Sequence, residues 1–107
     1  MVKAAFVCRD GLIMGFTVSG HAGAKDADAE FDLICSAVSS AVYLVCNTLT
    51  EYVGGCKAKQ DDNEISLDVI ANSEAIQAVL NGFRSHLNEM AQQYPQNIKI
   101  LGGKSSC

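Results

Sequence analysis

Two side chains in this chain have the types and the spacing for thiol chemistry. His21 sits inside Gly20-His21-Ala22-Gly23, and Cys35 follows after thirteen intervening residues, near the front of the apolar stretch Phe31 to Leu49. If a helix opens at Asp32, that acid is its natural N-cap, since its carboxylate accepts free amide hydrogens of the first turn. Cys35 then falls in roughly the third helical position. A thiolate there is favoured by the positive end of the helix dipole and by unpaired amides. A histidine on a glycine-flanked loop is free to fold back over such a helix start. Cysteine with histidine is the minimal apparatus for acyl transfer from a peptide bond. The imidazole takes the thiol proton and later returns a proton to the leaving amine. The helix-start amides offer an oxyanion hole. A plainer reading stands beside this one: a lone helical cysteine is usually core, and a lone histidine after a strand is usually a loop residue.

The neighbouring residues divide in the same way. Asp32 either orients His21, as a third member does in other Cys–His sites, or simply caps the helix, which needs no fold-over. Ser39 lies one turn beyond Cys35 on the same face; it lines a pocket or bonds back to a helix carbonyl. Asp26, Asp28, Glu30 and Asp32 alternate like the first ligands of a calcium loop. The pattern then fails, with Phe31 where glycine is required and Ala37 where a bidentate glutamate is required. No metal and no cofactor is expected. A solvated loop is the plain reading of these acids; the sharper one is that they attract a basic substrate segment. The same carboxylates disfavour a thiolate, so closure of the loop over substrate would be what pairs Cys35 with His21. His86 reads as a partly exposed structural histidine, Cys8, Cys46 and Cys56 as buried strand or helix residues, and Cys107 as an exposed tail thiol.

The elements that must position these groups follow from periodicity. Val2 to Cys8 alternates as a strand, Asp10-Gly11 supplies a tight hairpin, and Leu12 to Ser19 returns. Leu12, Met14, Phe16 and Val18 are expected on one face of that strand, Ile13, Gly15, Thr17 and Ser19 on the other. Gly15 marks a bulge or a close backbone approach. Ala24 to Glu30 is polar and small, hence loop. The first helix is expected from about Leu33 to Tyr52, ended by Gly54-Gly55. Its apolar band, through Ile34, Val38, Ala41, Val45 and Leu49, is wide, so this helix is expected to be mostly buried. A second hairpin follows, Cys56 to Gln60 and Glu64 to Ile70, turning at Asp61-Asp62-Asn63. Ser73 caps a second helix that runs to about Tyr94 and is stopped by Pro95. Ile98 to Leu101 is a last strand.

The predicted order is β-β-α-β-β-α-β: an α/β (α+β) fold with an antiparallel or mixed sheet and two helices on one face. The opposite sheet face, through Val7, Ile13 and their neighbours, is expected to be partly apolar and a candidate for self-association.

Bulk properties exclude several function classes. The chain's 107 residues suit one domain, residues 1–107. The net charge of −4 argues against a nucleic-acid binder. Five cysteines, an odd number with no C-x-x-C pair, argue against a secreted disulfide scaffold, a structural zinc site and a dithiol redox centre. The apolar part of the first helix reads as shorter than the ~20 residues a membrane span needs. A cytoplasmic protein without a secretory signal is expected.

Gly20-His21-Ala22-Gly23 followed by Asp32-Leu33-Ile34-Cys35-Ser36-Ala37-Val38-Ser39 closely resembles the paired signature of the ribosomal-processing cysteine protease family (Prp). In that family a G-H-A-G loop precedes a D-[IV]-[VI]-C-[AS]-A-[VA]-S helix start. The resemblance extends along the whole chain in length and element order. It implies a cysteine endopeptidase of α/β fold, usually a homodimer. Its substrate would be a large-subunit ribosomal protein, from which it removes a short N-terminal extension. By match, His21 is the general base and Cys35 the nucleophile, with Gly20, Ala22, Gly23 and Ser39 as substrate-pocket candidates. The loop between them is longer and more acidic than the family pattern, with Glu30 where a glycine is usual. The acids would suit a ribosomal protein's basic tail. A rival reading is a non-catalytic, ribosome-associated peptide-binding module.

Overall fold

The computed structural model describes residues 1–20 and 29–101, apart from the side chains of 29–32. The elements are β1 (Val2–Arg9), β2 (Leu12–Ser19), α1 (Ala29–Asn47) continued by a π-helical turn (Thr48–Val53), β3 (Cys56–Asp61), β4 (Glu64–Val69), α2 (Glu74–Gln93) and β5 (Ile98–Leu101). The five strands form one mixed sheet in the order β3-β4-β2-β1-β5. Among the described residues, the β1–β5 pair alone is parallel. The α+β architecture expected from the sequence is therefore present.

The β1–β2 turn has positive φ at both Asp10 (55°) and Gly11 (78°), the geometry that matches the twist of a two-residue hairpin. Further along, the pairing slips: Val7 opposes Gly15, but Cys8 opposes Ile13. Met14 is the additional residue of a bulge. Because strand faces alternate with period two, one extra residue exchanges them. Ile13 consequently joins Phe16 and Val18 in the core, while Leu12 is exposed. Gly15 makes the close approach its sequence position suggests: a Cβ there would lie 2.7 Å from the Leu67 carbonyl oxygen.

The bulge also corrects the expectation of an apolar outer sheet face. Ile13 is not on it. Its cross-strand rows run Lys57-Asp68-Gly15-Val7 and Lys59-Ser66-Thr17-Ala5, so it is mainly polar.

One core lies between the inner sheet face and the two helices. Phe6, Phe16 and Phe83 meet there with ring centroids 4.8 to 6.1 Å apart and tilted or edge-on planes. Helix α2 is one-sided, burying Ile76, Leu80, Phe83 and Leu87, and its N-cap is Ser73, whose Oγ accepts the Ile76 amide hydrogen at 3.2 Å. Gln77 on α2 bonds both backbone groups of Ile13, at 3.0 and 2.8 Å, where β2 runs past the end of β4. A side-chain amide thus stands in for a missing neighbouring strand.

Helix α1 departs from its sequence reading at both ends. It begins at Ala29, so Asp32 lies in its first turn and is not its cap. At the far end it widens into the π-helical turn, where the Thr48 and Thr50 hydroxyls donate to the carbonyls of Leu44 and Cys46. Such back-bonding competes with the main-chain ladder and loosens the helix. Leu33–Val53 is also longer and more apolar than expected: its 21 residues, with an 18-residue window of mean hydropathy 1.6, are enough by length and composition to cross a membrane. Its inward side supplies Ile34, Val38, Val42, Val45 and Leu49 to the core.

Candidate active site

The site is built at the end of the sheet where β2 stops. Gly20 follows the last residue of β2 and carries φ +78°, a conformation that favours glycine. Its amide hydrogen is donated to the Asn63 carbonyl oxygen, at 3.1 Å, in the β3–β4 turn. A Cβ on Gly20 would lie 2.2 Å from the Met1 carbonyl oxygen, so only glycine lets these backbones meet. Val2, beside that contact, is itself fixed by its amide hydrogen bond to the Asn97 carbonyl, at 2.8 Å. Two distant parts of the chain, the β3–β4 turn and the Met1–Val2 segment, thus converge on one residue.

Cys35 faces this corner from α1. Its side chain is buried, with 2% of its surface exposed, and its Sγ donates to the Gly20 carbonyl oxygen at 3.7 Å. The structure therefore brings the thiol to the residue directly before His21. His21, Ala22 and Gly23 lie outside the described residues, as do Asp26 and Asp28 of the acidic loop. Asp32 is described in its helical backbone alone. Ser39 is half-buried one turn beyond Cys35.

The longer helix alters the electrostatics expected at Cys35. With α1 starting at Ala29, Cys35 is its seventh residue, past the first turn where the dipole and free amides act most strongly. Among the described residues, no group of three His, Cys, Asp or Glu side chains is placed to hold a metal.

The remaining cysteines separate clearly. Cys46 and Cys56 are free thiols, and Cys8 is disulfide-bonded, which corrects its reading as a plain strand thiol. Burial, with a smaller contribution from the adjacent Cys56, pushes the Cys46 thiol up to about 11. Burial also raises Cys56. His86 is exposed on α2. Cys107 lies outside the described residues.

Sequence reading recognised Asp62-Asn63 as a turn but did not place it against Gly20. The usable signal was register: Ser19 pairs with Glu64, which brings the β3–β4 turn to the end of β2.

The fold is shared with solved structures. SMU.848 from Streptococcus mutans matches with a TM-score of 0.79 and 24% identity, over 94% of this chain and 91% of that one. The ribosomal processing protease Prp from Staphylococcus aureus, in complex with a substrate peptide, matches with a TM-score of 0.83 and 17% identity, over 94% and 98%. The same protease with a covalently linked product peptide gives 0.79 and 18%, over 94% and 97%. No curated relative matches at a significant level. A family model, described as cysteine protease Prp, matches residues 1–99. With the fold and that match in hand, the chain belongs to the cysteine protease Prp family.

Proposed function

We propose that this protein removes the N-terminal extension of a large-subunit ribosomal protein with a Cys35–His21 dyad. The observation that carries the reading is the contact between Cys35 Sγ and the Gly20 carbonyl, which sets the thiol one residue from the histidine. In this mechanism His21 takes the thiol proton and the sulfur attacks the scissile carbonyl. The amine leaves with the proton from the imidazolium, and water, activated by the same imidazole, hydrolyses the thioester. Gly20, Ala22 and Gly23 line the substrate pocket, and Ser39 flanks it. With the cap role removed by the longer helix, Asp32 acts either on the His21 imidazole or on the α1 dipole. Incubation with the extended ribosomal protein tests the proposal: the wild type cleaves, whereas Cys35→Ala and His21→Ala do not. Cleavage by Cys35→Ala eliminates the dyad; binding without cleavage by either form favours a peptide-binding module.

The same reading places the protein in the cytoplasm as a homodimer. The face suited to self-association is on α1 instead of the outer sheet. Leu33 and Leu44 are 72% and 68% exposed, with Ala37 and Ser40 between them, and no charged residue occurs from Leu33 to Thr50. The stripe Leu33-Ala37-Ser40-Leu44 reads large-small-small-large in both directions. An antiparallel second copy therefore presents the same stripe in return, so that leucine meets leucine and small residue meets small residue, as in a two-fold interface that uses one patch on both copies.

A further inference from the structure

Cys46 and Cys56 are free thiols that the proposed cleavage does not use. No C-x-x-C spacing announces them as a pair; the fold brings them together. Cys46 lies in the last turn of α1, buried in the core, and its carbonyl oxygen accepts the Thr50 hydroxyl at 2.8 Å. The chain then reverses. The Gly54 amide hydrogen is donated to the Leu49 carbonyl at 3.0 Å, and Gly54 and Gly55 both carry φ 85°. The Gly55 carbonyl accepts the Ile70 and Ala71 amides, at 2.7 and 3.0 Å. Cys56 is thereby fixed as the first residue of β3, opposite Val69.

Residues opposite each other in a ladder share one face of the sheet. Val69 is buried in the core, so Cys56 also points inward, and it packs against the cluster that contains Cys46. A charge on Cys56 acts on Cys46 and opposes its ionisation, as a close neighbour does. The two sulfurs differ in access. Cys46, 4% exposed, is closed to reagents in solution, whereas Cys56 is half-buried and open to them. Burial raises both thiols, so both react slowly at neutral pH.

We infer that Cys46 and Cys56 form a dithiol site, separate from Cys35, that a low-molecular-weight disulfide oxidises in two steps, with Cys56 as the point of entry and Cys46 as the resolving thiol. In the first step the Cys56 sulfur attacks one sulfur of oxidised glutathione. That S–S bond breaks, and one glutathione leaves as a thiol with the proton from Cys56. In the second step the Cys46 sulfur attacks the Cys56 sulfur of the mixed disulfide. The second glutathione leaves with the Cys46 proton. Two protein thiols are oxidised to one disulfide, and one glutathione disulfide is reduced to two thiols. The new bond ties the end of α1 to β3 across the π-helical turn.

The test incubates the full-length wild type overnight with oxidised glutathione at mildly alkaline pH. The protein is then denatured in an alkylating agent, cut after Glu51 and mapped unreduced by mass spectrometry. The expected product is a pair of fragments joined through Cys46 and Cys56, lighter by two hydrogens than its reduced parts together. Cys46→Ala is expected to stop at the mixed glutathione disulfide on Cys56, and Cys56→Ala to leave Cys46 unmodified. Amide exchange across Thr48–Val53 is expected to slow by about tenfold or more in the joined protein. Glutathione that persists on Cys56 in the wild type overturns the inference, as does modification of Cys46 in folded Cys56→Ala. So does failure of both thiols to react, or unchanged exchange in the joined protein. If a variant does not fold, mapping of the wild type still decides. None of these readouts depends on cleavage, so a protein without the proposed activity would retain the dithiol site.

Discussion

Helix α1 carries two buried thiols, and their surroundings differ more than their burial does. Cys35 and Cys46 are 2% and 4% exposed on the same helix. Cys35 reaches out of α1 to the backbone of another element, at a corner where β2, the β3–β4 turn and Met1 converge. Cys46 lies among core side chains with Cys56 beside it, and its thiol is held neutral up to about pH 11. Burial alone makes a thiol inert. What separates a candidate nucleophile from packing is the polar group that the fold delivers to it.

The largest effect separating the two thiols is expected in cleavage. Cys35→Ala lowers the rate of processing by more than about a thousandfold, the scale of losing a nucleophile that works with its base as one unit. Cys46→Ala leaves that rate within about twofold. Equal losses in both variants would break the comparison. Gly20→Ala is next: a displaced backbone costs about 1–3 kcal/mol of stability, read as a lower denaturation midpoint, with a reduced rate in whatever folds. The inert end gives a smaller effect. The folded Cys46 thiol ionises only near 11, against an ordinary value of 9.0, so above pH 9.0 the unfolded chain releases a proton that the folded chain keeps. Stability therefore falls as pH rises through that window, and denaturant titrations should show a shallower fall in Cys46→Ala. Leu44→Glu, on the outer side of α1, should leave the secondary structure unchanged while sedimentation shows a shift from dimer to monomer. The smallest effect belongs to the acidic loop: cleavage of a basic peptide slows with added salt, and Asp26→Asn with Asp28→Asn weakens that dependence. A salt-independent rate removes the steering role of these acids.

Much of the fold was legible because hydrophobic period and turn chemistry agree along the chain. Asp10-Gly11, Ser73 and Pro95 mark boundaries that the structure keeps to within a residue or two. What escaped has specific causes. The bulge at Met14 changes strand parity; Gly15 signals a bulge or a close approach, but not which neighbour is the extra residue. The start of α1 was placed late because Ala29 to Phe31 lack an apolar stripe, although Ala29 and Glu30 are good helix formers. Cys35 could be singled out by its neighbours in sequence. Its acceptor could not, because Gly20 is held by contacts with Met1 and Asn63, which depend on register across the whole sheet.

The parallel pairing of β1 with β5 sets a time as well as a shape. Val2 pairs with Ile98 and is held by the Asn97 carbonyl, so the strand that packs Met1 against Gly20 is braced by β5, the last of the described elements to be made. Contacts this far apart in sequence form late and slowly. A nascent chain can complete the β1–β2 hairpin and both helices and still lack the brace behind its thiol corner. For a protease, that ordering couples the finishing of the candidate site to the arrival of β5.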